Sequence, residues 1–207
     1  MTDYAALARL GVATVHEAAG RTGIIDVPLV QVVPHSRAAG PARTALCGQD
    51  DNLMVHALVA SAEPGDVLVL TMPEASPVAL VGELIATQAK VRGVAAILVD
   101  GAVRDVDELA ELGLPVWARF VRAQGGTKEK VGTLDAPVVV GGAGIRPGDA
   151  VVLDSDGAVV VAAGQVGEVL PLALEREARE RDARASYEAG ALSYDLNDLR
   201  RLVEGAP

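Results

Sequence analysis

The chain is poor in cysteine, in aromatic side chains and in lysine, and it has no long apolar run. Its single cysteine, Cys47, excludes an intrachain disulfide and any Cys-x-x-Cys metal or redox motif, and its neighbours fit an inert, packed thiol. Aromatic residues are 2% of the chain against 50% hydrophobic residues in all, so the core has to be built from Val, Ala, Leu and Ile. Lys90, Lys128 and Lys130 are the only lysines among 18 basic side chains, which leaves a Schiff-base mechanism few candidates. Acidic residues outnumber basic ones 28 to 18, and a net charge of -10 argues against a nucleic-acid partner, which would call for a basic face. No segment reaches the roughly 18 consecutive apolar residues of a membrane span. The first residues lack a basic start followed by an apolar run. A cytoplasmic protein with neither a membrane nor a nucleic-acid partner is therefore expected.

What is present is a chain of 207 residues, long enough for one sizeable core. Asp3 caps a helix over 3–10 that Gly11 stops, and Thr14 caps a second over 14–19. Residues 21–40 read as an extended, loop-like arm, and 42–47 as a strand. Apolar spacing predicts a helix over 51–62, and the run 67–70 fits a strand covered on both faces. Two prolines make 72–81 a loop, and a helix follows over 82–92 with Gly93 as its stop. Strands are expected at 94–99, 115–119, 120–123, 138–140, 150–153 and 158–161, with a helix over 105–112. Asp154-Ser155-Asp156-Gly157 is a hairpin signal. From Gln165 onward the chain turns helical and charge-dense, with Glu175–Arg179, Glu177–Arg181 and Glu180–Arg184 in i,i+4 register, and 192–203 closes it as one helix. The class expected is α/β: a single-domain layered α/β/β/α-type sandwich with a mixed sheet. That domain spans 1–207, with an N-terminal helical arm over 1–40 and a C-terminal helical arm over 165–207.

Chemistry concentrates between Val81 and Val106. Arg104 and Asp105 stand side by side after a buried strand, where a bidentate cation and a carboxylate can hold an acid substrate against a hard metal ion. The plainer alternative is that Asp105 only N-caps the next helix, with Arg104 in solvent. Gly82-Glu83-Leu84 heads a helix whose free N–H groups suit an anion, although Glu is also common in first turns for dipole reasons. The glycine-rich stretch 124–130 can carry a cation into a pocket or can be a surface loop. Gly141-Gly142-Ala143-Gly144 has the look of a dinucleotide fingerprint, but Pro147 stands where the third glycine belongs and no helix follows, so it is rejected. His16, His35 and His56 are not spaced as metal ligands; His16 and His56 fit packing or hydrogen-bonding roles. Trp117 fits the core or an interface.

Several phrases taken together resemble one family. They are Thr14-Val15-His16-Glu17-Ala18, Gly82-Glu83-Leu84-Ile85-Ala86-Thr87, Asp100-Gly101-Ala102-Val103-Arg104-Asp105-Val106, Pro115-Val116-Trp117, and Pro147-Gly148-Asp149 followed by Asp154-Ser155-Asp156-Gly157. The chain is similar over about its whole length to the 4-hydroxy-4-methyl-2-oxoglutarate / 4-carboxy-4-hydroxy-2-oxoadipate aldolases. These share a superfamily with the regulators of ribonuclease activity. The resemblance implies a class II pyruvate aldolase with oxaloacetate decarboxylase activity, in which Asp105 binds Mg²⁺ or Mn²⁺ and Arg104 holds the pyruvyl group. It further implies that Gly82 and the amides of Leu84 and Ile85 meet the substrate carboxylate, and that Lys128 lies near a second carboxylate. Glu83 stands where the family usually has Asp holding a metal-bound water. Glu180 falls where an acid from an adjacent subunit joins the site, in a homotrimer or homohexamer. The alternative is a non-catalytic, protein-binding regulator, a branch that tends to lack the acid at the position of Asp105.

Overall fold

Strand periodicity accounts for the layering. The computed structural model describes residues 2–205, and its core divides into three clusters according to which face each strand residue presents. On β3 (Val67–Thr71), Leu68 and Leu70 pack toward helices while Val67 and Val69 point the other way. The same alternation runs along β5 (Ala96–Val103) and β6 (Val116–Val121): Ile97, Val99, Val116 and Ala118 face one side, Ala96, Leu98 and Trp117 the other. On β10 (Ala150–Asp154) and β11 (Gly157–Val161), Val151, Leu153, Ala158 and Val160 join that second cluster, whereas Val152, Val159 and Val161 face outward. Successive side chains of a strand point to opposite faces, so each strand serves two layers. Helices α2 (Leu53–Ser61), α3 (Glu83–Val91) and α4 (Val106–Leu112) cover one outer face. Helices α1 (Tyr4–Ala18) and α5 (Val166–Glu188) cover the other. The result is the expected α/β/β/α arrangement.

The sheet is mixed. β2 (Ala38–Leu46), β3, β5 and β6 run parallel to one another, and β10 pairs antiparallel with both β2 and β11. Three short strands complete this sheet: β1 (Val30–Gln31) on β6, β4 (Ala79–Val81) on β5 and β7 (Thr133–Leu134) on β2. β8 (Val138–Val140) and β9 (Ala143–Ile145) form a separate hairpin. Its turn is Gly141-Gly142, at φ 50° and 79°, the positive pair that a two-residue hairpin demands. The glycine run is thus a turn and not a nucleotide loop.

Several boundaries differ from the sequence reading, most of them where a distant segment supplies the partner. β2 begins at Ala38, inside the stretch read as a loop, because β10 supplies its partner over Ala38–Pro41. The remainder of that stretch is tied to its own chain: Ile25 is buried in the middle cluster, and β1 adds to the sheet edge. β4 lies within the proline-containing segment 72–81. β6 is one strand where two were expected. The C-terminal segment splits into α6 (Ser193–Leu196) and α7 (Leu199–Glu204) around Asp198, which has a left-handed backbone. The helix over 4–18 does break at Gly11 (φ 81°, ψ 171°), but Thr14 does not cap its second half. Asp154 does, its Oδ2 accepting from the Val12 N–H at 2.9 Å. On α5 only Glu175–Arg179 pairs as anticipated; Glu177 turns to Arg9 on α1, and Glu180 to Arg176.

Trp117 is fully buried, its Nε1–H donating to the Asp154 carbonyl at 2.9 Å. Cys47 is buried as well, and burial, reinforced by the nearby Asp51 charge, pushes its thiol up to about 12. A thiol so protonated and covered is unreactive. Native protein treated with a disulfide reagent at pH 8 is therefore expected to leave Cys47 unmodified over the time in which the urea-unfolded chain reacts completely. Fast native labelling would show that the segment around Cys47 opens readily.

Candidate functional site

The site forms where the parallel strands end. β5 extends past the expected stop at Val99, through Asp100 and Gly101 to Val103, and hands the chain directly to Arg104 and Asp105. A register shift between Val99 and Ala102 in the ladder to β6 marks a bulge in this extension. Asp100 remains outside the site. Burial raises its pKa against the opposing pull of Arg119, whose Nη1 lies 3.3 Å away.

Asp105 holds the N-cap position of α4 but makes no side-chain capping bond there. Its backbone is left-handed (φ 58°, ψ 46°), and its carboxylate turns across to α3, where Oδ2 accepts the Glu83 N–H at 3.1 Å. Arg104 Nε lies 3.5 Å from the same oxygen. Both side chains keep substantial exposure, 49% for Arg104 and 40% for Asp105, so the pair is open to a ligand and is not a buried structural bridge. The N-cap alternative is thereby excluded for Asp105.

Two glycines make room for this couple. Gly82 is extended (φ -134°, ψ -175°), a conformation open to any residue, so its demand is for space. A Cβ there would fall 2.5 Å from Asp105 Oδ2 and 3.0 Å from Arg104 Nε; one at Gly125 would fall 2.8 Å from Arg104 Nη1. Gly82→Ala is thus expected to displace both side chains and, on the catalytic reading of this couple, to lower turnover by about 10²-fold, a cost typical of small misplacements of catalytic groups. The check is kcat/KM alongside thermal melting. A variant as active as the parent would show that the couple tolerates displacement.

A pocket of about 180 Å³ collects these groups. Gly82, Leu84, Ile85, Arg104, Asp105 and Lys128 all line it, so six of the residues named from the sequence come together. At the start of a helix the N–H groups of Leu84 and Ile85 have no intrahelical acceptor, which leaves them for an anion. Two named residues are placed differently. Glu83 contributes its N–H to Asp105, while its carboxylate accepts from Thr87 Oγ1 at 2.8 Å and is not part of the pocket lining. Glu180 lies on α5 in the opposite layer, bound to Arg176 at 2.8 Å, and reaches no part of this chain's pocket.

Lys128 rides on a loop that is pinned. Ala79 exchanges backbone bonds with this loop, its N–H donating to the Gln124 carbonyl at 2.7 Å and its carbonyl accepting from the Gly126 N–H at 3.1 Å, and Asp51 holds the loop's far side. Asp51 is fully buried; its Oδ2 accepts from Thr127 Oγ1 (2.6 Å), Glu129 N–H (2.7 Å) and Lys130 N–H (3.1 Å), and its Oδ1 from Leu53 N–H (2.8 Å). Burial opposes the charge, yet these four donors outweigh it and hold the carboxyl well below the usual carboxylate range. The glycine-rich stretch is therefore a fixed wall of the pocket.

Asp51 and Asn52 had no functional role in the sequence reading and His56 only a packing or hydrogen-bonding one, yet Asn52 and His56 line the pocket beside Arg104. The signal was a polar pair four residues apart at a helix start, which on its own is commonplace.

Among the described residues no three His, Cys, Asp or Glu side chains gather to hold a metal ion. Such a cage is not what a hydrated hard cation needs: Mg²⁺ takes one or two protein carboxylates and keeps its waters. Asp105 fits that requirement, being exposed to the pocket with Oδ1 unclaimed by any donor among the described residues. No helix in the described residues is long and apolar enough to cross a membrane.

Residues 12–160 match the RraA-like family, described as Aldolase/RraA. Over 151 residues, 71% of this chain and 72% of the relative, the sequence is 36% identical to a Halalkalibacterium halodurans protein named "Putative 4-hydroxy-4-methyl-2-oxoglutarate aldolase". The fold is similar to that of Streptomyces coelicolor RraAS2, described as an unusual member of the RNase ES inhibitor RraA family (TM-score 0.77, 29% identity, 87% of this chain and 94% of that one). It is also similar to the RNA-processing inhibitor RraA of Thermus thermophilis (TM-score 0.61, 28% identity, 68% and 83%).

Proposed function

This chain belongs to the RraA-like family, Aldolase/RraA, and from that premise we propose that it is a divalent-metal-dependent pyruvate aldolase. Its substrates would be 4-hydroxy-2-oxo acids of the 4-hydroxy-4-methyl-2-oxoglutarate type, cleaved to pyruvate and a second keto acid. One observation carries the reading: Arg104 and Asp105 turn together toward the start of α3, and the acid is not spent on its own helix.

A Mg²⁺ or Mn²⁺ ion held by Asp105 would supply Lewis acidity to the 2-keto and carboxylate oxygens of the substrate. The Leu84 and Ile85 N–H groups receive that carboxylate. Arg104 faces the keto oxygen and stabilises the negative charge that develops there as the C3–C4 bond breaks. The C4 hydroxyl gives up its proton to a water or a carboxylate and becomes the carbonyl of the leaving keto acid; the electrons of the C3–C4 bond form the enolate of pyruvate, which takes a proton at C3 from water. Lys128, on the pocket rim, attracts a second carboxylate. Oxaloacetate forms the same enolate by losing CO₂, so decarboxylation is the expected companion activity. A Schiff base on Lys128 is disfavoured, because that lysine is exposed on a charged, glycine-rich loop and is not enclosed by the apolar surroundings that such chemistry uses.

The experiment is pyruvate release from 4-hydroxy-4-methyl-2-oxoglutarate and from oxaloacetate, with Mg²⁺ or Mn²⁺ and with EDTA. Turnover is expected with either metal and should stop on chelation. Activity that survives complete chelation sinks the metal mechanism. No turnover on either acid favours the other branch of the family, a protein-binding regulator.

The proposed assembly is a homotrimer or homohexamer. Leu192, Leu196, Leu202 and Val203 are exposed along the C-terminal helices, an apolar strip that a second subunit would cover. In such an assembly Glu180 could serve only a neighbour's pocket, since it lies away from its own. Mass measurement by light scattering tests this: a monomer at micromolar concentration would remove Glu180 from the mechanism.

A further inference from the structure

We propose that Asn52 and His56 form a second subsite in this pocket, built to hold a hydroxyl group of the substrate; the inference rests on the aldolase reading above. Among the described residues, the buried side-chain atoms without a hydrogen-bond partner are Asn52 Oδ1, His56 Nε2, Asp100 Oδ1 and Arg176 Nε. The last two still face an opposite charge, Arg119 at 3.3 Å and Glu180 at 2.8 Å. Asn52 Oδ1 and His56 Nε2 face no such charge, and both residues line the pocket. They share one face at the start of α2, four residues apart, with the His56 N–H on the Asn52 carbonyl at 3.4 Å.

The orientation of Asn52 is determined by its other contacts. Its Nδ2 donates to the Leu80 carbonyl at 3.1 Å, and its backbone N–H donates to the Thr127 carbonyl at 2.9 Å. Reversing the amide would set two acceptors against each other, so Oδ1 has to be the atom presented elsewhere. The residue is 7% exposed, which makes Oδ1 a fixed, desolvated acceptor awaiting a donor.

The chemistry of the missing partner follows. An amide oxygen only accepts, so it repels a carboxylate or a keto oxygen and calls for O–H or N–H. The imidazole Nε2 can donate or accept according to tautomer. A hydroxyl satisfies both at once, donating to Asn52 and accepting from His56; a carboxylate satisfies only the histidine. The groups that favour an anion belong to other elements, the start of α3 and Arg104. The pocket therefore sorts the two ends of a 4-hydroxy-2-oxo acid, carboxylate to α3 and C4 hydroxyl to α2. Oxaloacetate carries no hydroxyl for the α2 side. Asn52 and His56 are thus specificity determinants.

The test compares kcat/KM for 4-hydroxy-4-methyl-2-oxoglutarate cleavage with kcat/KM for oxaloacetate decarboxylation in the full-length protein with Mg²⁺. In Asn52→Ala and His56→Ala the ratio of the first to the second is expected to fall by about 10–100-fold, as when a buried polar group meets a substrate hydroxyl. His56→Gln, which restores an N–H at similar reach, should recover most of it. His56→Ala breaks no side-chain hydrogen bond of the fold, so it keeps the test sound if Asn52→Ala loosens the start of α2. A ratio unchanged from the parent overturns the proposal, whether both activities fall together or neither does. A parent protein active on neither acid overturns the aldolase reading, and this inference falls with it.

Discussion

Under the aldolase mechanism proposed above, Asp105→Ala is expected to lower metal-dependent pyruvate release by on the order of 10³-fold or more, because it removes the carboxylate assigned to the cation and leaves Arg104 without its partner. Alanine alone would be an ambiguous probe. Asp105 has a left-handed backbone (φ 58°), which alanine adopts at a cost, so lost activity could be blamed on a distorted turn. Asp105→Asn resolves this. Asparagine tolerates the left-handed region and keeps a side-chain oxygen for the Glu83 N–H, but it carries no charge. Both variants should be nearly inactive, with Asn closer to the parent in thermal midpoint. Adding excess Mn²⁺ should not rescue either. An Asp105→Asn protein that keeps more than about a tenth of the parent activity would refute the role assigned to this carboxylate, since charge-dependent catalytic groups contribute far more than that.

Asp51→Asn is expected to cost about 3 kcal/mol of stability, the scale for leaving buried donors facing the wrong group. The amide places an NH₂ against at least one of the N–H groups of Leu53, Glu129 and Lys130, all now satisfied by a carboxylate. For a chain of this size the midpoint should drop by roughly 6–12 °C. The effect should also depend on pH in one direction. The folded-state pKa of Asp51 is depressed, so its contribution is fully present above the unfolded value near ~3.9 and is lost as pH falls further toward the folded value. Parent and variant should therefore differ by a constant amount between pH 5 and 8 and converge below about pH 4. A difference that instead grows on acidification would mean that Asp51 is not the ionised hub of the 124–130 loop. Because the loop carries Lys128, KM for a dicarboxylic substrate should rise in the same variant.

How much of this was legible before folding depended on how local each feature is. The apolar runs at 67–70 and 94–99 announced strands covered on both faces, because burial on two sides leaves no polar alternation. Gly93 and Gly113 marked helix ends, because both adopt the positive φ that side chains resist. The Arg104–Asp105 couple was visible as two neighbouring charges after a buried strand. Its alternative, an ordinary helix cap, could not be dismissed until the carboxylate was seen turned to α3.

The features that were missed are long-range ones. Residues 38–40 belong to what reads as an extended, loop-like arm until β10, more than a hundred residues onward, provides their ladder. Val12 takes its cap from Asp154, and Asp51 binds donors some 76–79 residues away. Local composition and periodicity thus determined the class, the layering and the chemical type of the charged end of the candidate site. Which buried polar atoms of the pocket residues would be left without a partner, Asn52 Oδ1 and His56 Nε2 among them, was decided only when α2, β4 and the 124–130 loop closed together. A hydrogen bond joins whatever groups the whole fold brings within about 3 Å, and separation along the chain does not set that distance.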